Sequence, residues 1–320
     1  MLQNSPNLRG ALLSLLAFGI FATHDVIIKV LGGSYSVFQI VFFSVLLSFP
    51  LVMLMLMRDT ARATLIPVHP WWTAARTLAA IITGSTAFYA FSVLPLTQTY
   101  AILFATPLLI TVLSIPILGE RVRWHRWAAV IVGLVGVLVV LRPGGEALTL
   151  GHLAAMTAAV CGALASVIVR KIGRDERSAV LLLYPMMANF VIMGAILPFV
   201  YKPLPIEHFG LLGVIAVFAF AGGLLVIAAY KAGDAAVVAP MQYSQIVWAT
   251  VYGMLFFDEF PDLATIVGAG IVILSGLYIV LRESIAGVSA TRPMTSTRLR
   301  PETGTSPRSS FENSVQTPGE

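Results

Sequence analysis

Long apolar segments follow one another almost without interruption from Gly10 to Arg282, and this feature limits the chain to very few architectures. Of the 320 residues, 58% are hydrophobic and 11% are charged, with a mean hydropathy of +0.89, whereas soluble domains have about 25% charged residues. A helix that crosses a bilayer needs about 20 mostly apolar residues. The sequence therefore predicts an all-α integral membrane protein and leaves no room for a sizeable soluble domain.

Short polar breaks divide the apolar region into ten predicted membrane spans. Their approximate ranges are 10–30, 36–57, 71–94, 98–118, 124–141, 150–172, 178–200, 207–231, 236–257 and 263–282. The single cysteine, Cys161, lies within an apolar run, so neither a disulfide framework nor a thiolate metal cluster can be built from it. Residues 284–320 are rich in Ser, Thr, Pro and Gly, and they are expected to form a disordered tail.

The positions of the basic residues predict how the chain is oriented. With the N-terminus placed in the cytoplasm, 17 of the 20 Lys and Arg residues fall on the cytoplasmic side, and Lys29, Arg142 and Lys202 fall outside. Cytoplasmic loops are enriched in Lys and Arg, so we expect both termini, residues 1–9 and the tail, to be cytoplasmic. Arg76, six residues into the third span, is expected to snorkel to the cytoplasmic surface.

The second half of the chain repeats the first. Glu120 aligns with Glu259 at a shift of 139 positions, and Lys29 aligns with Arg170 at a shift of 141. The sequence therefore predicts two five-helix units, residues 10–142 and 143–283. Because five is odd, the second unit enters the membrane from the opposite side, and its loop charges invert as expected: "ERVRWHR" becomes "DEFPDLAT". Inverted repeats are typical of secondary transporters; a duplicated passive structural protein is the alternative.

Each predicted unit closes its fourth span near an acidic residue, at Gly119-Glu120 and at Asp258-Glu259, before a Gly-rich fifth span. In this the chain resembles the EamA-type drug/metabolite transporters over residues 10–283. The resemblance implies a ten-helix carrier in the bacterial inner membrane, with a central cavity lined by spans 1, 3, 4, 6, 8 and 9. The second unit departs from the family's Gly-Glu pattern, because it has Asp-Glu there.

Two stretches, "AFGIFATHDVIIK" and "VVAPMQYSQIVWATVYG", are similar to a bacterial branch of that superfamily that imports riboflavin. This resemblance implies riboflavin import by alternating access. Sister branches that export amino acids or import S-adenosylmethionine share the same scaffold and much of the pattern, so these substrates stay open.

Three ionisable residues, His24, Asp25 and Lys29, stand within the first predicted span. An ionised Asp near mid-bilayer costs about 2.5 to 3.5 kcal/mol on insertion scales, so it normally faces protein or water. Lys29 follows Asp25 by four residues, which predicts an intrahelical ion pair that tolerates burial. The alternative is that the three residues serve coupling or gating. His24 is expected to point away from Asp25, either as a proton relay or as a hydrogen-bonded structural residue.

The ninth predicted span offers the densest polar stripe, formed by Gln242, Gln245, Trp248 and Tyr252. Residues spaced three or four apart share one face of a helix. Such a wall could bind a planar polar substrate, because amides pair with its edges and aromatic rings cover its faces. The alternative is hydrogen bonding between helices, which in membranes contributes about 0.6 to 2 kcal/mol per contact.

Polar residues of the first unit complete the predicted substrate site. Ser85 and Tyr89 share one face of the third span, and Thr99 and Thr106 lie in the fourth. Thr106 is the repeat counterpart of Gln245, which places two polar groups at quasi-symmetric positions between the halves.

The fifth and tenth spans carry small residues such as Gly133, Gly136 and Gly268 instead of polar ones. Close helix packing explains small residues without a ligand. We expect these spans to form scaffold or a homodimer contact.

The sequence lacks the motifs that are typical of several other classes of protein. The sequence contains no G-x-x-x-x-G-K-[ST] loop for ATP, and neither H-E-x-x-H nor G-x-S-x-G, so an intramembrane hydrolase or transferase has no recognisable constellation. Rings of like charge and repeated carbonyl filters, which a channel would need, are not visible either. We therefore expect a transporter that is not an enzyme, with no cofactor, metal or nucleic acid, whose partners are a small-molecule substrate and the lipid bilayer.

Overall fold

The computed structural model describes residues 6–57, 65–119, 124–142, 148–173, 175–232 and 235–286, and within these ranges the chain is helical, without strands. The helices are α1 (Pro6–Gly32), α2 (Val37–Met57), α3 (Pro70–Val93), α4 (Leu96–Leu103), α5 (Thr106–Leu118), α6 (Trp124–Leu141), α7 (Leu150–Ile172), α8 (Ser178–Val200), α9 (Ile206–Ala232), α10 (Ala235–Val238), α11 (Ser244–Phe257) and α12 (Leu263–Ala286). Glu120 and residues 287–320, which include most of the predicted tail, lie outside the described residues.

Each predicted span coincides with one helix or, for the fourth and ninth spans, with a broken helix. Among the described residues, six segments are long and apolar enough to cross a membrane: Leu8–Gly32, Val37–Leu54, Leu96–Leu118, Leu150–Ile172, Ala179–Val200 and Ile206–Tyr230. Trp127–Leu141 and Leu263–Ile279 are shorter apolar helices. The helices end where the sequence supplies a stop, for example at Gly119, whose φ of 71° is the left-handed conformation that glycine adopts without strain.

The helices pair across the two halves of the chain in a regular pattern. Extensive contacts join α1 to α9, α3 to α7, α6 to α12 and α2 to α8, and further contacts join α5 to α7 and α4 to α11. In the repeat alignment, α1 corresponds to α7 and α3 corresponds to α9. Exchanging the two halves therefore converts the α1–α9 pair into the α7–α3 pair and leaves the α6–α12 and α2–α8 pairs unchanged.

Glycines let α6 and α12 approach closely within one chain. A Cβ atom on Gly136 would lie 2.9 Å from the carbonyl oxygen of Gly268, and one on Gly268 would lie 2.6 Å from that of Gly136. Ser275 adds a hydrogen bond of 2.7 Å to the carbonyl oxygen of Ala129. Part of the small-residue pattern thus serves packing inside the chain.

Arg76 is not at the surface, contrary to the prediction that it snorkels. Its side chain is buried, and the guanidinium donates a hydrogen bond to the carbonyl oxygen of Leu181 in α8. That carbonyl lacks its usual helical partner, because the residue four positions later is Pro185, which has no N–H. Arg76 therefore satisfies a backbone group that a proline has left open, as neighbouring helices must do in an apolar environment.

Candidate functional site

Two broken helices meet in the middle of the bundle. In the first half the chain breaks between α4 and α5, where Pro107 lacks the N–H that would bond to Leu103. In the second half Ala239–Tyr243 is a 3₁₀ segment, and it contains Pro240. Membrane carriers use such discontinuous helices at their substrate sites.

The breaks face each other at repeat-equivalent positions. Phe104, at the end of α4, corresponds to Tyr243 at the start of α11, and their rings pack edge to face with centroids 5.1 Å apart. Thr106 and Gln245, the quasi-symmetric pair of the sequence analysis, each follow directly after a break. Both side chains are buried.

A chain of four buried polar side chains joins α1, α4 and α11. Nδ1 of His24 lies 2.7 Å from Oδ1 of Asp25, and the Tyr100 hydroxyl donates a hydrogen bond to Oδ2 of Asp25. Nε2 of Gln245 in turn donates to the Tyr100 hydroxyl at 3.3 Å. We call His24, Asp25, Tyr100 and Gln245 the buried polar chain; all are at most 5% exposed.

Two expectations about the first span are wrong. His24 does not diverge from Asp25, because Nδ1 of its imidazole contacts the neighbouring carboxylate. Lys29 does not pair with Asp25 either. Its ammonium lies 2.6 Å from Oε1 of Glu259.

Lys29 joins the ends of three helices rather than one helical face. Besides Glu259, its ammonium contacts the carbonyl oxygen of Leu94 at 2.5 Å and lies 5.2 Å from the centre of the Phe257 ring. Oε2 of Glu259 accepts a hydrogen bond of 3.1 Å from the backbone N–H of Leu96. Lys29 lies one helical turn beyond Asp25, and its long side chain reaches these groups. We call Lys29, Leu94, Leu96, Phe257 and Glu259 the Lys29 cluster.

The predicted stripe on the ninth span divides into two parts. Gln245 is buried with Ala249 and Gly253, toward the buried polar chain. Trp248 and Tyr252 stack on each other with ring centroids 6.0 Å apart, and 37% of Trp248 is exposed.

The two aromatic residues also contact α1. The Tyr252 hydroxyl lies 3.0 Å from Oγ1 of Thr23, and a Cβ on Gly19 would touch the Trp248 ring at 3.4 Å. Gln242 lies in the 3₁₀ segment, where the tighter winding removes it from the regular helical face.

The remaining predicted residues line the core around the breaks. Thr99 is fully buried, and its hydroxyl donates to the carbonyl oxygen of Pro95 at 3.1 Å. Tyr89 packs half-buried against the main apolar core. The Ser85 hydroxyl has no hydrogen-bond partner within the described ranges.

The sequence offers Tyr100 as a polar residue of the fourth span, but it does not predict that Tyr100 bonds to Asp25 or that Lys29 pairs with Glu259. Both contacts join residues far apart in the sequence, 75 positions for Tyr100 and Asp25. The repeat alignment singled out Glu259 through its counterpart Glu120, and this was the one available signal for its importance.

Comparison with known proteins gives the family. The model of the EamA-like transporter family matches residues 8–142 and again residues 149–282. The chain belongs to the EamA-like transporter family. A protein of known crystal structure shares the fold, with a TM-score of 0.56 and 19% identity over 88% of this chain and 98% of its own.

Curated relatives of the family transport different molecules. An S-adenosylmethionine uptake transporter of Rickettsia bellii is 29% identical over 85% of this chain and 93% of its own length. A pseudopaline exporter of Pseudomonas aeruginosa is 25% identical over 83% of this chain and 94% of its own. A riboflavin transporter of Rhizobium johnstonii is 25% identical over 67% of this chain and 72% of its own.

Proposed function

We propose that the chain is a secondary transporter that moves a small, positively charged organic metabolite across the bacterial inner membrane, with S-adenosylmethionine as the first substrate to test. Transport proceeds by alternating access, through ten membrane-spanning segments in two inverted five-helix units, residues 10–142 and 143–283. Both termini lie in the cytoplasm. The exchange symmetry of the helix pairs and the inversion of loop charge support this architecture.

The observation that carries the substrate class is the burial of Asp25. A carboxylate in the interior of a membrane bundle is costly unless it pairs or binds a ligand. Within the described residues it contacts Nδ1 of His24 at 2.7 Å and accepts a hydrogen bond from the Tyr100 hydroxyl, while Lys29 pairs with Glu259. A carboxylate held in this way would attract a cationic substrate.

The aromatic pair on α11 suits the rest of such a substrate. Trp248 and Tyr252 present stacked rings one to two turns from Gln245. Rings of this kind cover the face of a planar base and attract a cation, and S-adenosylmethionine carries an adenine ring, a sulfonium and an ammonium group. We therefore assign Asp25, Tyr100, Gln245, Trp248 and Tyr252 to substrate binding.

Riboflavin is the second candidate, and the aromatic pair with the Gln245 amide is the observation that favours it. Riboflavin has a planar ring system with polar edges but carries no positive charge. The related riboflavin transporter matches a shorter part of this chain than the S-adenosylmethionine relative does. Asp25 thus distinguishes the two candidates.

The test is uptake of labelled S-adenosylmethionine into proteoliposomes that contain the purified chain and an excess of unlabelled substrate inside. We expect saturable uptake of chemically unaltered substrate, at least tenfold lower in Asp25→Asn. Ser114→Ala is a matched control, because Ser114 is fully buried in α5 and bonds within its own helix to Thr111.

Unlabelled riboflavin and amino acids are added as competitors in the same assay. Inhibition by riboflavin, together with growth rescue of a riboflavin auxotroph that expresses the chain, would replace the first candidate by the second. Absence of saturable exchange for every compound would reject both.

A further inference from the structure

A small cavity borders His24. Its volume is about 20 Å³, and it lies between α1, α2, α3, α8 and α9. Its lining includes His24, Ser44, Ser48, Phe88 and Asn189. The volume suits one water molecule, for which about 10 to 15 Å³ is the minimum.

Two polar side chains in this lining have hydrogen-bonding groups without partners. Oγ of Ser44 and Oδ1 of Asn189 accept no hydrogen bond within the described part of the chain. Ser44 is 6% exposed and Asn189 is 8% exposed. Buried polar atoms of this kind are costly unless a ligand or ordered water satisfies them. A cavity that is both large enough and polar enough for water therefore borders the imidazole.

His24 stands between this cavity and the substrate-binding residues. One edge of the imidazole contacts Asp25 at 2.7 Å, and its ring lies edge to face with Phe88 at a centroid distance of 6.0 Å. From Asp25 the hydrogen bonds continue through Tyr100 to Gln245. The imidazole is thus placed to change the net charge that the substrate experiences at Asp25.

We propose that His24 is a proton-binding positioning residue that switches the substrate site, and that water in the Ser44–Asn189 cavity carries the proton to and from it. When His24 is neutral, Asp25 presents a full negative charge to a cationic substrate. When His24 takes up a proton that the cavity water relays from solvent, the pair becomes neutral overall and holds the substrate weakly. Substrate binding at low pH then releases that proton through the water to solvent. This inference rests on the proposed transport of a cation.

Among the residues that the structure describes, few other ionisable groups lie on the elements around the pair. On α1, Lys29 pairs with Glu259. Helix α4 supplies Tyr100, which bonds to Asp25, and α11 supplies Tyr252, which bonds to Thr23. The 3₁₀ segment supplies Tyr243, which packs on Phe104. Helix α2 contains no ionisable residue, α3 lines the cavity with Gly84 and Phe88, α8 with Asn189, and α9 with Ile215, Ala216 and Ala219. None of these groups besides His24 ordinarily changes charge near neutral pH.

The experiment measures the Kd of the purified full chain for S-adenosylmethionine across pH 5 to 8. For the wild type we expect the Kd to rise as the pH falls, approaching about tenfold per pH unit, because proton and substrate exclude each other. His24→Gln should give a flat profile. Asn189→Leu and Ser44→Ala should shift the profile to lower pH, because the imidazolium loses polar partners. Ser114→Ala, the control defined above, should keep the wild-type profile.

A second readout does not depend on the substrate. NMR of histidine-labelled protein, with His24 assigned by its loss in His24→Gln, should show His24 titrating within this range and Asn189→Leu lowering its midpoint. If His24→Gln keeps the wild-type pH dependence, or if His24 does not titrate, the inference is overturned. If His24 titrates but no variant binds S-adenosylmethionine at any pH, the proposed substrate fails while the proton site stands.

Discussion

The packing of Tyr243 against α12 gives a prediction that can be worked out from distances. A Cβ atom on Gly276 would lie 1.8 Å from the Tyr243 hydroxyl oxygen and 2.9 Å from Cζ, whereas ordinary contacts begin at about 3.4 Å. In Gly276→Ala the tyrosine must therefore shift by more than 1 Å, against the Phe104 ring on its other side. Overpacking of this kind costs about 1 to 3 kcal/mol.

Tyr243→Phe is the second variant, and together with Gly276→Ala it forms a double-mutant cycle. By itself it should change stability little, because it removes only the hydroxyl and keeps the ring packed on Phe104. In the double variant the 1.8 Å contact is gone and the contact to Cζ remains, so we expect recovery of about half of the loss.

The assay is the thermal midpoint of the protein in detergent, followed by intrinsic fluorescence, with substrate exchange measured on the same samples. A Gly276→Ala variant as stable as the wild type would refute the packing described here. So would a double variant no more stable than Gly276→Ala. Gly270→Ala is the matched control, because a Cβ there meets nothing within 4 Å.

Three further predictions concern buried polar contacts and helix packing. Glu259→Gln should lower the thermal midpoint by an amount equivalent to about 1 to 3 kcal/mol, because Lys29 loses its charged partner. The Lys29 side chain is 10% exposed and that of Glu259 is 22% exposed, so water screens the pair little. Adding Lys29→Gln to the Glu259→Gln variant should lower the midpoint little further. Arg76→Met should destabilise the protein by about 1 to 3 kcal/mol, because the Leu181 carbonyl loses its hydrogen-bond donor. In a Pro185→Ala background the same change should cost clearly less, because the N–H of Ala at position 185 can bond to that carbonyl. Gly136→Leu should prevent α6 and α12 from packing, and the protein should then lose its monodisperse peak in gel filtration. Gly210→Leu is the control and should keep that peak, because a Cβ on Gly210 meets nothing within 4 Å.

The positions of the helices were predictable because hydrophobic length alone determines them. Each predicted span agrees with a helix within a few residues, and the breaks fall where Gly, Pro or charges interrupt the apolar runs. The interruptions within the fourth and ninth spans were less visible. Pro107 and Pro240 were present in the sequence, but a proline inside a span is often tolerated without a break.

The partners of the charged residues could not be predicted, because they depend on how helices pack. Local spacing placed Lys29 next to Asp25, yet the structure gives Lys29 a partner from the other half of the chain. A long, flexible side chain selects among all groups within reach, and only the fold decides which groups those are. Arg76 shows the same limit, because its acceptor exists through a proline on another helix.

The repeat explains why the scaffold is symmetric and the proposed site is not. Gln245 and Tyr243 have repeat counterparts in Thr106 and Phe104, and the Tyr243 and Phe104 rings form a contact between the broken helices. His24 and Asp25, in contrast, correspond to Ala165 and Ser166, so the ionisable pair occurs in the first half alone.

Rocking of two halves requires only that their backbones and packing surfaces be equivalent. Recognition of a single substrate requires one charge at one place, which a strict two-fold arrangement would duplicate. Two carboxylates facing each other in an apolar interior would repel, and one would take up a proton. In the transport mechanism proposed above, a single pair of ionisable residues within a symmetric frame would give the bundle two equivalent open states and one asymmetric, charge-selective site.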